Sequence, residues 1–102
     1  MIISPNNTIT FGPLSGSGPR SNFTDVTLSG PVSQAVAILT GFNVSYAPAD
    51  GDHHLGDLDV HISTAPPSGA TVRVTATYGL RDWSGNWDDR YEGTISFTVI
   101  AE

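Results

Sequence analysis

Residues 70–81 read Ala-Thr-Val-Arg-Val-Thr-Ala-Thr-Tyr-Gly-Leu-Arg, in which Val72, Val74, Ala76, Tyr78 and Leu80 alternate with Arg73, Thr75, Thr77, Gly79 and Arg81. A period of two puts the apolar side chains on one face of an extended strand and the polar ones on the other. The closing segment repeats it, with Ile95, Phe97, Val99 and Ala101 against Thr94, Ser96 and Thr98. Upstream, Leu58, Val60 and Ile62 alternate with Asp57, Asp59 and His61, and the run ends at Thr64-Ala-Pro-Pro-Ser-Gly69. Two prolines and a glycine stop a strand and turn the chain, so the strands on either side are expected to form an antiparallel hairpin. Centred on Pro66 and Pro67, that hairpin sets His61 opposite Arg73, with Asp59 diagonal to it.

Working toward the N-terminus, residues 32–46 are harder to read, because 35–39 (Ala-Val-Ala-Ile-Leu) are continuously apolar and admit one helical turn. β-Branched and aromatic residues dominate and no capping residue frames a helix, which favours a strand broken by a bulge at Gly41. Two shorter strands, near residues 8–11 and 22–28, are joined by the turn formers Gly12-Pro-Leu-Ser-Gly-Ser-Gly-Pro19. About six short strands, no convincing helix and no internal repeat predict an all-β chain, a single antiparallel β-sandwich spanning residues 1–102.

Composition narrows the function. A chain of 102 residues is one ordinary domain, hiding roughly 65% of its unfolded surface. It has no cysteine, which excludes a disulfide scaffold, a zinc ribbon and a thiol nucleophile. Four arginines, no lysine and ten acids give a net charge of −6, so no nucleic-acid partner and no attraction to an anionic membrane are expected. No apolar run approaches the ~20 residues of a membrane span, which predicts a soluble protein with no membrane insertion. Met1-Ile-Ile-Ser-Pro-Asn6 lacks the basic and apolar regions of a signal peptide. A cytoplasmic, a leaderless extracellular and a particle-associated setting all fit that start.

Eight of the ten acids fall in two short segments: Asp50, Asp52, Asp57 and Asp59 in one, and Asp82, Asp88, Asp89 and Glu92 in the other. In the second, Asp82, Ser84, Asn86 and Asp88 offer the oxygen ligands of a Ca²⁺ loop. The spacing departs from an EF-type loop, since glycine stands at the fourth position and Gly93 at the twelfth. The alternative is that these residues only make turns, with Arg81 or Arg90 neutralising a carboxylate.

The same segment holds Trp83, Trp87 and Tyr91. An aromatic face beside Asn86, Asp88, Asp89 and Arg90 is how proteins grip a sugar, the ring covering C–H groups while polar side chains bond hydroxyls. Alternatively one or both tryptophans close the end of the sandwich or enter a subunit contact. His53 and His54 of the first segment border the same candidate ligand site, but adjacent side chains on an extended chain point apart and make a poor metal pair. Asp57, Asp59 and His61 share one strand face, which reads as a solvated face with cross-strand ion pairs. No nucleophile elbow and no phosphate-binding glycine loop is present, and both acidic clusters lie among turn residues, so catalysis is not expected.

Pro31-Val-Ser-Gln-Ala-Val-Ala-Ile-Leu39, then Val72-Arg-Val-Thr-Ala76, an acidic segment with Trp83 and Trp87, and a terminal Ile95-Ser-Phe-Thr-Val-Ile-Ala101 resemble the H-type lectins over roughly residues 23–101. That resemblance implies a six-stranded sandwich, assembly as a trimer or hexamer, and binding of N-acetylgalactosamine-type sugars. The family's last strand usually carries Trp where this chain has Phe97. Independently, residues 35–39 offer apolar side chains to both faces of a sheet, which calls for a partner such as a second subunit. The expectation is a non-catalytic, oligomeric glycan-binding module using the loops near 50–57 and 82–92. Its rival is a structural self-assembling module of a virion, phage tail or particle, whose loops make subunit contacts.

Overall fold

The computed structural model describes residues 1–15, 18–48, 54–87 and 89–102. Six strands carry most of them: β1 (Ile2–Leu14), β2 (Arg20–Thr27), β3 (Ala35–Tyr46), β4 (Leu55–Thr64), β5 (Thr71–Asp82) and β6 (Tyr91–Ala101). They pair antiparallel into two three-stranded sheets, ordered β1-β6-β3 and β2-β5-β4. The result is the expected all-β sandwich, with β5 and β6 as the central strands.

The two alternations quoted first build the core. Val72, Val74, Ala76 and Tyr78 of β5 and Ile95, Phe97, Val99 and Ala101 of β6 are buried in one cluster, with Ile9, Phe11 and Val26 from β1 and β2. Each has its polar neighbours on the outer face, as a period of two demands. The β3 bulge falls between Leu39 and Gly41, opposite Phe97 and Ser96, so residues 35–46 form a strand and not a helical turn. β1 begins at Ile2, earlier than the sequence pattern suggests, because a second bulge between Ser4 and Asn7 breaks its alternation. There Asn6 takes φ +62° and Asn7 Nδ2 donates to the Ser4 carbonyl at 2.8 Å; asparagine is one of the few side chains that tolerates such a bend.

The β4–β5 hairpin forms, but in a different register. His61 stands opposite Thr77, and Asp59 opposite Gly79. Pro66 and Pro67 are not the tip: Ser68 and Thr71 exchange both backbone hydrogen bonds around Gly69 and Ala70, and Gly69 has φ +62°. A two-residue turn with glycine first matches the twist of the flanking strands, whereas the prolines belong to the arm leaving β4. Arg73 therefore faces Asp25 of β2, with Nε donating to Oδ1 at 2.9 Å and its guanidinium 4.1 Å from the centre of the Phe23 ring. That hydrogen bond holds the Asp25 carboxyl below its ordinary value.

Tyr78 ties the two sheets together. Its ring packs edge-on against Phe11 and Tyr91 at 5.3 and 4.9 Å, its hydroxyl donates to the Glu92 carbonyl at 2.7 Å, and the Tyr91 hydroxyl donates to the Tyr78 carbonyl at 3.1 Å. Gly93 makes room for that ring, since a Cβ there would lie 3.3 Å from Tyr78 Cε2 and 2.4 Å from the Asn43 carbonyl oxygen.

Burial pushes the Tyr78 hydroxyl up to about 12. A raised folded-state value means that the neutral form is favoured by folding, so its stabilisation is complete below the unfolded value near 10 and is lost as the pH rises toward 12. Urea titrations at pH 8 and pH 11 are expected to show an alkaline loss, about 1–1.5 kcal/mol from this residue. Tyr78→Phe removes much of that pH dependence and costs about 1 kcal/mol at neutral pH.

Candidate functional site

Three connections meet at one end of the sandwich, because the strand register puts Leu14 opposite Tyr91, Arg20 opposite Tyr78, Tyr46 opposite Tyr91 and Leu55 opposite Asp82. They are the chain between β1 and β2, that between β3 and β4, and that between β5 and β6. Both acidic segments thus reach the same end. Backbone bonds hold them there: the Trp83 amide donates to the His54 carbonyl at 3.2 Å, and the Ala47 amide donates to the Arg90 carbonyl at 2.9 Å. Gly56 permits the approach, since a Cβ at that position would lie 2.2 Å from the Asp82 carbonyl oxygen.

The segment after β5 starts with a tight turn. The Gly85 amide donates to the Asp82 carbonyl at 3.1 Å with Gly85 at φ +81°. Asp82 Oδ1 accepts the Ser84 amide at 3.0 Å and also the Ser84 hydroxyl. Two of the four side chains expected to ligate calcium therefore bond each other, which is how an aspartate nucleates a turn. Asn86 stands beside them, its Nδ2 3.5 Å from Ser84 Oγ. Among the described residues no group of three or more acids and histidines is placed to hold a metal ion; Asp88 and His53, both in the expected site, lie outside those residues.

The tryptophans have opposite surroundings. Trp83 is 74% exposed at the tip of the turn. Trp87 is half-buried on the outer face of β5, where a Cβ on Gly79 would come within 2.9 Å of its ring and 3.0 Å of Pro19. The Arg81 guanidinium lies 5.3 Å from the centre of that ring and bonds Asp57 at 3.1 Å. This ion pair is what the Asp57, Asp59 and His61 face provides, with Arg81 and not Arg73 as the cross-strand cation. The sequence pattern shows Gly79 only as part of the strand and Pro19 only as a turn former, although a glycine interrupting a strong strand alternation is a signal of a close approach.

Asp82 and Asp89 are each only 8% exposed. Burial, followed by the charges of these two carboxylates, pushes the Tyr46 hydroxyl above its ordinary value, so Tyr46 stays neutral beside them. Asp89 is thus turned into the protein, whereas Trp83, Asn86, Arg90 and His54 are exposed. The exposed side chains at this end are an indole, an amide, an imidazole and a guanidinium, and two of its carboxylates are buried.

Comparison with family models, curated proteins and solved structures finds no match.

The two tryptophans should respond differently to substitution. Trp83→Ala is expected to change unfolding stability by no more than roughly 0.5 kcal/mol, and Trp87→Ala to cost about 2 kcal/mol, measured by urea denaturation. Acrylamide should quench the fluorescence of Trp87→Phe, which retains Trp83, more strongly than that of Trp83→Phe.

Proposed function

We propose that the loop end recognises glycans, with Trp83 as the ring against which a sugar stacks. The observation that carries this reading is the 74% exposure of a large aromatic side chain whose backbone is fixed on both sides by hydrogen bonds. A backbone already held in place loses little further entropy when a ligand covers the ring it carries. Asn86, His54 and Arg90 supply donors and acceptors for hydroxyls around that ring, and Asp89, with Asp82, forms the supporting base. Trp87 serves as a brace under the loop. The residue types suit a neutral sugar, whose apolar C–H face covers the indole while its hydroxyls exchange water for side-chain partners.

The rival self-assembling module gains support from a different part of the chain, the uncharged stretch that includes β3. It predicts a folded protein with no sugar affinity.

A glycan array probed with purified protein, in calcium and in EDTA, tests the proposal. Binding to a related set of sugars is expected, with Trp83→Ala reducing it at least tenfold and Trp87→Phe retaining most of it. Loss of binding in EDTA would add a calcium ion to the loop. A blank array from folded protein would refute glycan recognition.

A further inference from the structure

The two flanks of the sandwich differ in how well they cover large apolar side chains. Where β1 lies over β2, the inward residues Ile9, Phe11 and Val26 are 2%, 4% and 7% exposed. Where β3 lies over β4, residues at equally inward register positions are not covered: Leu39, opposite Phe97, is 37% exposed and Phe42, opposite Ile95, is 49% exposed. At one point the flank is shut, by the Ala37 amide donating to Thr64 Oγ1 at 2.8 Å. Beyond it, the inward-register Leu39 and Phe42 of β3 and the half-buried Val60 and Ile62 of β4 reach solvent. Around the same edge, on the outer face, Val36 is 51% and Ile38 46% exposed.

Two edge strands, β1 and β3, carry no charged side chain, and they differ in what else guards them. No charged residue occurs between Asp25 and Asp50, so all of β3 is neutral in a chain of net charge −6. Edge strands are ordinarily guarded by charges or prolines. β4 carries Asp57 and Asp59, and β1 carries Pro5 and Pro13, while β3 has neither. Two copies of an acidic chain repel, and the β3 edge, free of both charge and proline, lets them approach without juxtaposing like charges.

We propose that a second copy of this chain packs side-on against the β3 edge, covering Leu39 and Phe42 on one side of the strand and Val36 and Ile38 on the other. The area fits. Taking roughly 150–220 Å² for a fully exposed side chain of this kind, these four residues and their half-buried neighbours on β4 present about 450 Å² of apolar surface. A stable interface buries about 800 Å² per partner, a little over half of it apolar. The β3 bulge interrupts the ladder at mid-strand and disfavours continuous strand addition, so the contact is made by side chains and closes symmetrically. The loop end stays outside the contact and is presented once per copy, which strengthens weak sites by avidity. The interface does not depend on what that end binds.

Sedimentation velocity and light scattering on the full chain test it. Wild-type protein is expected at an integer multiple of 10.7 kDa, and Phe42→Glu and Ile38→Glu at the single-chain mass, each folded by circular dichroism. Ile38 is on the solvent face of the strand, so its variant decides the matter if Phe42→Glu fails to fold. Phe23→Glu, on the outer face of the other sheet, is expected to keep the wild-type mass. A wild-type chain that is monomeric throughout, folded β3 variants that stay associated, or dissociation by Phe23→Glu would overturn the interface. A monomer that still binds the array would sink this inference alone, and an oligomer with a blank array would sink only glycan recognition.

Discussion

The burial of β5 against β6 is the contact on which the other four strands depend. Each central strand supplies a full row of inward side chains and gives both of its edges to neighbours, so β1 and β3 hang on β6, and β2 and β4 on β5. Neither sheet has another apolar layer to rest on, and a three-stranded sheet with one uncovered face is marginal in water. Tyr78 concentrates that dependence, since one side chain fills the space above Gly93, meets two aromatic rings and bonds the backbone of the opposite sheet. The fold is therefore strongest along the central pair and weakest at the β3 and β4 edge.

The proposed glycan site lies where that pair ends. β5 finishes at Asp82 and β6 begins at Tyr91, so the chain between them is anchored at both ends by the most buried strands of the molecule. A turn built on so firm a base can expose Trp83 without disorder. Trp87, a few residues on, folds back over Gly79 and uses Pro19 and Arg81 to pin the loop to the sheet. The acidic character of this end is partly structural, since Asp82 caps its own turn and Asp89 is buried near Tyr46.

Most of the architecture was legible because β5 and β6 bury one complete face each, which leaves an unbroken alternation. β1 was legible only from Thr8 onward, since the Ser4–Asn7 bulge re-phases its first residues and no periodicity survives it. The β4–β5 register was misread because two prolines outweighed Gly69, although a positive φ at a two-residue turn needs glycine far more than the arm needs proline. The end loops were legible as a place but not as a site. Which tryptophan is exposed depends on Gly79 and Pro19, contributed by segments remote in sequence, and on the close pass of Gly56 under Asp82. Such contacts leave no periodic trace. The exposed flank left its sequence mark in the continuous apolar run at 35–39 and in the uncharged stretch around it.

Native-state hydrogen exchange, resolved by residue, tests the dependence on the central pair most directly. The amides of β5 and β6 should exchange most slowly and only through global unfolding, with the four edge strands opening earlier and β3 and β4 at the lowest free energy. If amides of β1 or β2 outlast those of β5 and β6, the central pair does not hold the molecule together and the account of its fold is wrong.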